Sequence, residues 1–216
     1  MSALAERYAE VRARIDRAAR RPVRLIAVSK FHSVEAIREV YALGQRDFGE
    51  NYAQELAEKA AALRDLPELR FHFIGGIQRN KLKQLLDSGC LIDTLASEAH
   101  ARAIQERAQA PVPVLVQVNV MGELQKGGVA PAELPHLVAA IRALPKLVLR
   151  GLMTIPPADD LGLARQAYET LASLAQQHGL TELSMGMSDD LEVALAAGAT
   201  EVRIGTAIFG ARPQKR

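Results

Sequence analysis

The chain has 216 residues, of which 49% are apolar and 4% are aromatic, so it is too apolar for a disordered protein and its core must be mainly aliphatic. Its 27 basic and 25 acidic side chains leave a net charge of +2 that is spread along the sequence, without the basic block that follows a nucleic-acid backbone. No apolar run reaches the roughly 18 residues that a membrane-spanning helix needs.

Short apolar segments alternate with helix-like segments from one end of the chain to the other. After a charged N-terminal helix, the pattern predicts strands at 23–29, 46–49, 71–75, 91–95, 112–120, 148–153, 183–185 and 201–204. The predicted helices between and after them are the segment bounded by Ser33 and Gly44, then 51–63, 79–86, 97–108, 132–143, 161–178 and 188–197. About eight strand–helix units in this length predict a single (β/α)8 TIM barrel, an α/β fold, in one domain covering 1–216. An open doubly wound sheet is the alternative.

The carboxyl ends of the predicted strands carry polar and glycine residues. In a (β/α) barrel these ends meet at one rim, which is where functional residues lie. The residues that this rule selects are far apart in the sequence: Lys30, 49–51, 75–76, Asn119, 153–154, 184–186 and 203–206.

Lys30 ends the apolar strand 23–29. A lysine at this position either extends its ammonium group to solvent or serves as an amine that forms a Schiff base. The second use requires a neutral amine, so the pKa must fall from about 10.4, and both desolvation and a nearby cation lower it.

The segment 203–210, with the sequence RIGTAIFG, follows the last strand. Gly205 allows a close approach of the backbone to a ligand, and Thr206 offers a hydroxyl at a turn where barrels often bind phosphate. Ser188 is an N-cap candidate that could also contact phosphate, whereas Asp189 and Asp190 would repel an anion if they pointed inward. The alternative is that these glycine and serine residues only form the turns between helices and strands.

Of three further residues, Arg203 is the more specific signal, and His72 and Asn51 are weaker ones. Arg203 lies two residues before Gly205, so both should share one face of the strand, and a buried arginine there would donate to an acceptor without losing its proton. His72 lies within a strand and is expected to be a core histidine rather than a catalyst. Asn51 is as well explained as a helix cap as by ligand contact. No cluster has metal-ligand spacing, and no catalytic triad or Walker motif occurs.

Several motifs together resemble one known family, that of the pyridoxal phosphate homeostasis proteins. The similar segments are AVSK at 27–30, FGENY at 48–52, HFIG at 72–75, QRNK at 78–81, VN at 118–119, GLM at 151–153, LSMGMS at 183–188 and VRIGTAIFG at 202–210. They span nearly the whole chain. The sequence departs from the family pattern after Lys30, where Phe31 and His32 replace a Thr-Lys-like pair, and at Met121, where the family usually has serine.

The resemblance implies a fold type III barrel like the N-terminal domain of alanine racemase. It implies that Lys30 carries pyridoxal 5′-phosphate (PLP), that Arg203 faces the pyridine nitrogen, and that Ser188, Gly205 and Thr206 hold the phosphate, with Asn51 and Ser184 nearby. The implied role is to keep intracellular PLP in balance rather than to catalyse a known reaction.

Three functions remain open at this point: a PLP carrier, a PLP-dependent enzyme such as an amino-acid racemase, and a cofactor-free Schiff-base aldolase. An aldolase usually needs acid–base carboxylates beside its lysine, and no convincing pair occurs near Lys30. Alanine racemases draw a second base from a C-terminal domain, whereas only 211–216 follow Gly210 here. We therefore expect a carrier without enzymatic turnover, with no catalytic residues.

The expected partners are PLP and PLP-dependent apo-enzymes, with neither nucleic acid nor membrane, and the protein is expected to be a monomer. The single cysteine, Cys90, precludes an internal disulfide and is expected to be a packed core thiol. The acidic residues Glu6, Glu10 and Asp16 are not typical of a targeting peptide. We therefore expect a cytoplasmic location.

Overall fold

The computed structural model describes residues 2–123, 125–157 and 160–211. Strands and helices alternate along these ranges, as the sequence pattern predicts. The strands are β1 (Arg24–Val28), β2 (Asp47–Glu50), β3 (Arg70–Phe73), β4 (Leu91–Leu95), β5 (Val112–Gln117), β6 (Leu147–Met153), β7 (Glu182–Ser184) and β8 (Glu201–Ile204).

The helices pack around the outside of the strands. They are α1 (Ala3–Ala18), α2 (Val34–Ala42), α3 (Ala53–Ala62), α4 (Leu82–Asp87), α5 (Glu98–Arg107), α6 (Leu134–Arg142), α7 (Leu161–Gln177), α8 (Leu191–Ala196) and α9 (Thr206–Phe209). Short 3-10 turns at Arg79–Lys81 and Pro131–Glu133 precede α4 and α6. None of the helices in the described ranges is both long and apolar enough to cross a bilayer.

The eight strands form a closed barrel in which every neighbouring pair is parallel. The barrel closes where β8 pairs with β1, with Arg24 opposite Glu201 and Ala27 opposite Ile204. This closure confirms the predicted TIM barrel, and the open doubly wound sheet is wrong. The carboxyl ends of all eight strands therefore surround one opening, which we call the mouth, and their amino ends form the floor.

Aliphatic side chains fill the layer between the strands and the helices, as the composition predicts. Ile37, Val40 and Leu56 of the outer helices are inaccessible to solvent, as is Phe48 of β2. Serine caps fix the starts of α1, α2 and α5, because Ser2 Oγ accepts from Ala5 N, Ser33 Oγ from Ala36 N and Ser97 Oγ from His100 N.

Two predicted helix caps are wrong. Helix α8 begins at Leu191 rather than at Ser188, and Asp190 occupies the cap position. The Asp190 side chain makes no bond to the helix, and its Oδ1 accepts from Met187 N at 2.6 Å in the preceding loop. The cap position of α3 is Tyr52, without a side-chain bond to the helix, so Asn51 is not a cap. Both corrections leave Ser188 and Asn51 outside the helices and at the mouth.

Charged side chains occupy the interior of the barrel near the floor. His72 is buried between two carboxylates, with Nδ1 3.0 Å from Asp93 Oδ2 and Nε2 3.2 Å from Asp47 Oδ1. Asp47 also accepts two bonds from Arg70 at 2.8 Å. Burial opposes a charge on His72, but Asp93 and Asp47 outweigh it and raise the pKa of His72 to about 10. His72 is therefore a satisfied core residue, as predicted.

Glu201 adds a further carboxylate to this interior and pairs with Arg24. Burial and the nearby Asp93 raise the pKa of Glu201 to about 7. Ligand atoms of His72, Asp93 and Glu201 lie within 4.8 Å of one another. Both ring nitrogens of His72 are already bonded to carboxylates, however, so the group is an internal salt-bridge network.

Candidate functional site

The mouth of the barrel contains a cavity of about 610 Å³. Six of the seven residues that the sequence assigns to the site line this cavity: Lys30, Asn51, Ser188, Arg203, Gly205 and Thr206. The seventh, Ser184, is buried and bonded to Arg203. The fold therefore gathers residues from the first to the last strand around one space.

Lys30 reaches the cavity from the turn that follows β1. Val28 is the last residue of β1, Lys30 lies in the turn closed by the bond from His32 N to the Ser29 carbonyl oxygen at 3.0 Å, and both residues line the cavity. Ile74 and Met153 contribute apolar surface to the same space.

Arg203 is held rigidly in the depth of the cavity. Its side chain is buried, with 5% of the residue exposed, and it donates from Nη1 to Ser184 Oγ and from Nη2 to the Thr154 carbonyl oxygen, both at 2.8 Å. Burial lowers the pKa of Arg203, and neighbouring groups that include Asp93 and Asp190 oppose this. An arginine keeps its proton in proteins, so Arg203 presents a fixed cationic donor.

Another part of the cavity wall is formed by the turn between β8 and α9 and by the loop before α8. Thr206 begins α9, and the first bonds inside this helix are donated by Ile208 and Phe209 to the Gly205 carbonyl oxygen. The N–H groups of Thr206 and Ala207 precede these bonds and have no partner within the helix. Together with the hydroxyl groups of Thr206 and Ser188, they provide donors suited to an anion.

Gly205 is required by its neighbours as well as by the cavity. A Cβ atom at this position would lie 3.2 Å from the Val28 carbonyl oxygen and 3.3 Å from Val28 Cβ. The tight packing of β8 against β1 is therefore a second reason for a glycine at this position, beside the predicted close approach of a ligand.

Arg14 lines the same end of the cavity, and the sequence reasoning missed it. Its Nη2 donates to the Ser188 carbonyl oxygen at 3.2 Å, and its guanidinium pairs with Glu192 at 3.0 Å. Asp189 also lines the cavity here, so this end carries a carboxylate as well as the Arg14 guanidinium. Nothing in the sequence distinguishes Arg14 from the other charged residues on α1.

Asn51 presents an acceptor with no bond of its own. Its Oδ1 is buried and has no hydrogen-bond partner in the described residues, although the side chain lines the cavity. The backbone of Asn51 is pressed against β3, because a Cβ atom at Gly75 would lie 1.9 Å from the Asn51 carbonyl oxygen. A buried polar atom without a partner is costly, so a ligand donor at this position would be stabilising.

Asn119 and Glu50 are polar residues from the predicted strand ends that do not line the cavity. Asn119 folds back on its own loop, with Nδ2 2.8 Å from the Glu123 carbonyl oxygen and Oδ1 3.1 Å from Glu123 N. Glu50 is buried and pairs with Lys59 on α3.

Comparison with known proteins identifies the family. Residues 1–213 match the family model described as alanine racemase, N-terminal domain. A pyridoxal phosphate homeostasis protein of Pseudomonas aeruginosa is 47% identical over 98% of this chain and 97% of its own length. The chain belongs to the pyridoxal phosphate homeostasis protein family. The protein of this name from Escherichia coli is 41% identical, with 98% of both chains covered.

Solved structures of similar proteins have the same architecture. PipY of Synechococcus elongatus with PLP bound is 40% identical, with a TM-score of 0.81 over 96% of this chain and 100% of PipY. Alanine racemase from Corynebacterium glutamicum shares the fold at 21% identity, with a TM-score of 0.77 over 97% of this chain and 61% of the racemase. The resemblance and the racemase-like barrel that the sequence motifs indicated are both confirmed.

Proposed function

We propose that this protein binds PLP in the mouth cavity as a Schiff base on Lys30 and serves in the homeostasis of the cofactor. The observation that carries the proposal is the cavity itself, which places Lys30 together with Arg203 and with the donors of the turn at Thr206. The name and the bound PLP of the relatives support the same conclusion.

The residues present fit this cofactor. The volume of about 610 Å³ lies within the range of about 300–1,000 Å³ that small-molecule sites occupy. Arg203 offers a donor to a ring nitrogen, and Asn51 has a buried acceptor without a partner. Thr206 and Ser188 would hold the phosphate, with Gly205 between strand and helix and Arg14 as a nearby positive charge.

The chemistry divides between the cofactor and the chain. PLP supplies an aldehyde that condenses with an amine. Lys30 would provide that amine, which reacts in its neutral form. Arg203 would donate to the ring nitrogen and, because it keeps its own proton, would leave that nitrogen unprotonated. An unprotonated ring stabilises negative charge on a bound amino acid poorly.

We infer from this arrangement that the protein carries PLP rather than turning over amino acids. Arg203 would weaken the ring as an electron sink. The Glu50 carboxylate, at the end of β2 near Lys30 in the fold, pairs with Lys59 outside the cavity and so does not face a bound amino acid as an acid–base group. The test is to measure racemisation, decarboxylation and transamination of the common amino acids with excess PLP. Enzymes typically turn over about 1–1,000 times per second. A rate near one per second that is lost in Lys30→Ala would make the protein an enzyme.

The cellular setting is also part of the proposal. We propose a cytoplasmic monomer, folded as one domain over 1–216, from which PLP-dependent apo-enzymes receive the cofactor. Cys90 is a free thiol, which is consistent with a reducing compartment. The thiol is buried, and burial raises its pKa to about 12. Sedimentation of the purified protein with and without PLP tests the monomer.

An absorbance titration with PLP tests the cofactor assignment. The wild-type protein should develop the visible band of a Schiff base, and Lys30→Ala should not. The fold should survive this substitution, because aliphatic burial stabilises the barrel and a lysine at its rim contributes little. Lys81→Ala is the matched control, because Lys81 follows β3 at the same end of the barrel but does not line the cavity. A band of equal strength in Lys30→Ala would contradict the assignment.

A further inference from the structure

Lys59 forms a buried ionic cluster directly behind the end of β1. Its ammonium group donates three bonds of 2.7 Å, to the Ser29 carbonyl oxygen, to Glu50 Oε1 and to Glu55 Oε1. Only 6% of Lys59 is exposed, and Glu50 is inaccessible to solvent. We call Lys59, Glu50 and Glu55 the Lys59 cluster.

The cluster holds the residues on both sides of Lys30. On the preceding side, the Ser29 carbonyl oxygen accepts from Lys59, and Ser29 Oγ donates to Glu50 Oε1 at 2.6 Å. On the following side, Phe31 N donates to Glu55 Oε1 at 2.6 Å. The backbone is therefore fixed immediately before and immediately after the residue that faces the cavity.

Phe31 has a backbone conformation that needs such support. Its φ is +66°, and within the described ranges it is the one non-glycine residue at positive φ. A bulky side chain is uncommon in this left-handed region, and holding it there costs free energy. The bond from Phe31 N to the Glu55 carboxylate offsets part of this cost and keeps the turn after Lys30 in place.

Stability alone does not account for these charges. Burying an ammonium group with carboxylates carries a large desolvation penalty, and apolar residues of similar size often stabilise a protein as well or better. One carboxylate oxygen, Glu50 Oε2, is buried without a hydrogen-bond partner in the residues that the structure describes. The cluster does have one specific structural consequence, which is the fixed direction of the chain at Lys30.

We propose that Lys59 and Glu55 are positioning residues that clamp the backbone on both sides of Lys30 and thereby aim its amine into the cavity. They act through Lys30 and do not line the cavity themselves. The inference rests on the proposed function, in which Lys30 forms the Schiff base. It predicts that the clamp contributes to bond formation with the aldehyde and not to binding of the phosphate or the ring.

A comparison of two ligands separates these contributions. PLP has the aldehyde, whereas 4′-deoxypyridoxine 5′-phosphate has the same ring and phosphate but cannot react with an amine. In Lys59→Met, the affinity for PLP should fall about tenfold, which is the effect of one lost hydrogen bond to a charged group. The affinity for the deoxy analogue should stay within about twofold of the wild-type value. The observed rate of appearance of the visible band should fall as well.

The variants are chosen so that a failure to fold does not decide the result. Lys59→Met leaves Glu50 buried without its cation, so Lys59→Met combined with Glu50→Gln removes both charges together. Glu55→Ala removes the acceptor of Phe31 N at a side chain that is 22% exposed. Glu55→Gln keeps an oxygen acceptor and should rescue PLP binding. Lys83→Met is the control, because that lysine side chain is 83% exposed.

Each outcome has one meaning. A selective loss of PLP affinity in Glu55→Ala and in the double variant, with rescue by Glu55→Gln, supports the clamp. Equal changes for PLP and the deoxy analogue, or no change for either, would overturn it. If the wild-type protein itself forms no bond to PLP at Lys30, the proposed function fails first, and that result is visible before any clamp variant is measured.

Discussion

The substitution Thr206→Val tests the phosphate end of the cavity. Thr206 is exposed and begins α9, and valine keeps the shape of threonine while it removes the hydroxyl. If that hydroxyl donates to the phosphate, the substitution removes one hydrogen bond to a charged group, about 1.5–3 kcal/mol. The dissociation constant for PLP should therefore rise by between about tenfold and about 150-fold. Binding of pyridoxal, which lacks the phosphate, should change little.

The assay is a titration of each variant with PLP and with pyridoxal, followed by the visible absorbance of the Schiff base. The quantity compared is the ratio of the two dissociation constants, because a general disturbance of the cavity affects both ligands alike. Thr181→Val is a matched control, since Thr181 is exposed and precedes β7 at the opposite end of the barrel. Equal losses for both ligands in Thr206→Val would show that Thr206 does not contact the phosphate.

Two further predictions concern charge. Arg14→Gln should weaken the binding of PLP relative to that of pyridoxal by about two- to fivefold, which is the effect expected of a partly exposed ion pair. The difference between the two ligands should shrink as salt is added. An unchanged ratio of the two dissociation constants at low salt would argue against this role. The pKa of His72 is raised from 6.5 to about 10, so its charge stabilises the folded state fully below pH 6.5 and progressively less as the pH rises toward 10. The melting temperature of the wild-type protein should fall across this interval, and His72→Gln should lose that part of the slope; parallel curves for the two proteins would contradict the assignment.

The barrel could be predicted because its strands are short apolar runs with clear ends. Strands β4 and β8 have the predicted bounds, Leu91–Leu95 and Glu201–Ile204, since glycine or polar residues lie within two residues of each end. Strand β5 ends at Gln117, earlier than predicted, and Val118 then forms an isolated bridge with Val129. Hydrophobicity alone does not show where an apolar chain stops pairing with its neighbours.

The start of α8 shows a limit of local sequence signals. Ser188, Asp189 and Asp190 are consecutive, and each is a good N-cap residue. The structure uses Asp190, whose carboxylate bonds to Met187 N and to the Tyr168 hydroxyl on α7. The choice depends on this contact with a distant helix, which the sequence around the cap does not reveal.

The residues that the sequence does not reveal are those whose partners lie far away along the chain. Arg14 meets Ser188 only because α1 lies beside α8 after the barrel closes. Lys59 and Glu55 have the spacing of an ordinary surface ion pair on a helix, and their burial follows from the packing of α3 over the ends of β1 and β2. The residues found from the sequence, such as Lys30 and Arg203, lie directly at strand ends, where the fold class alone predicts their location.

Borohydride reduction of the PLP-saturated protein, followed by digestion and mass spectrometry, is the most direct test of the central claim. Reduction converts the Schiff base into a stable bond, so the modified lysine can be identified. The account predicts about one PLP-derived group per chain on the peptide that contains Lys30, and none there in Lys30→Ala. Label found at Lys81 or Lys126 instead, or spread evenly over many lysines, would contradict it.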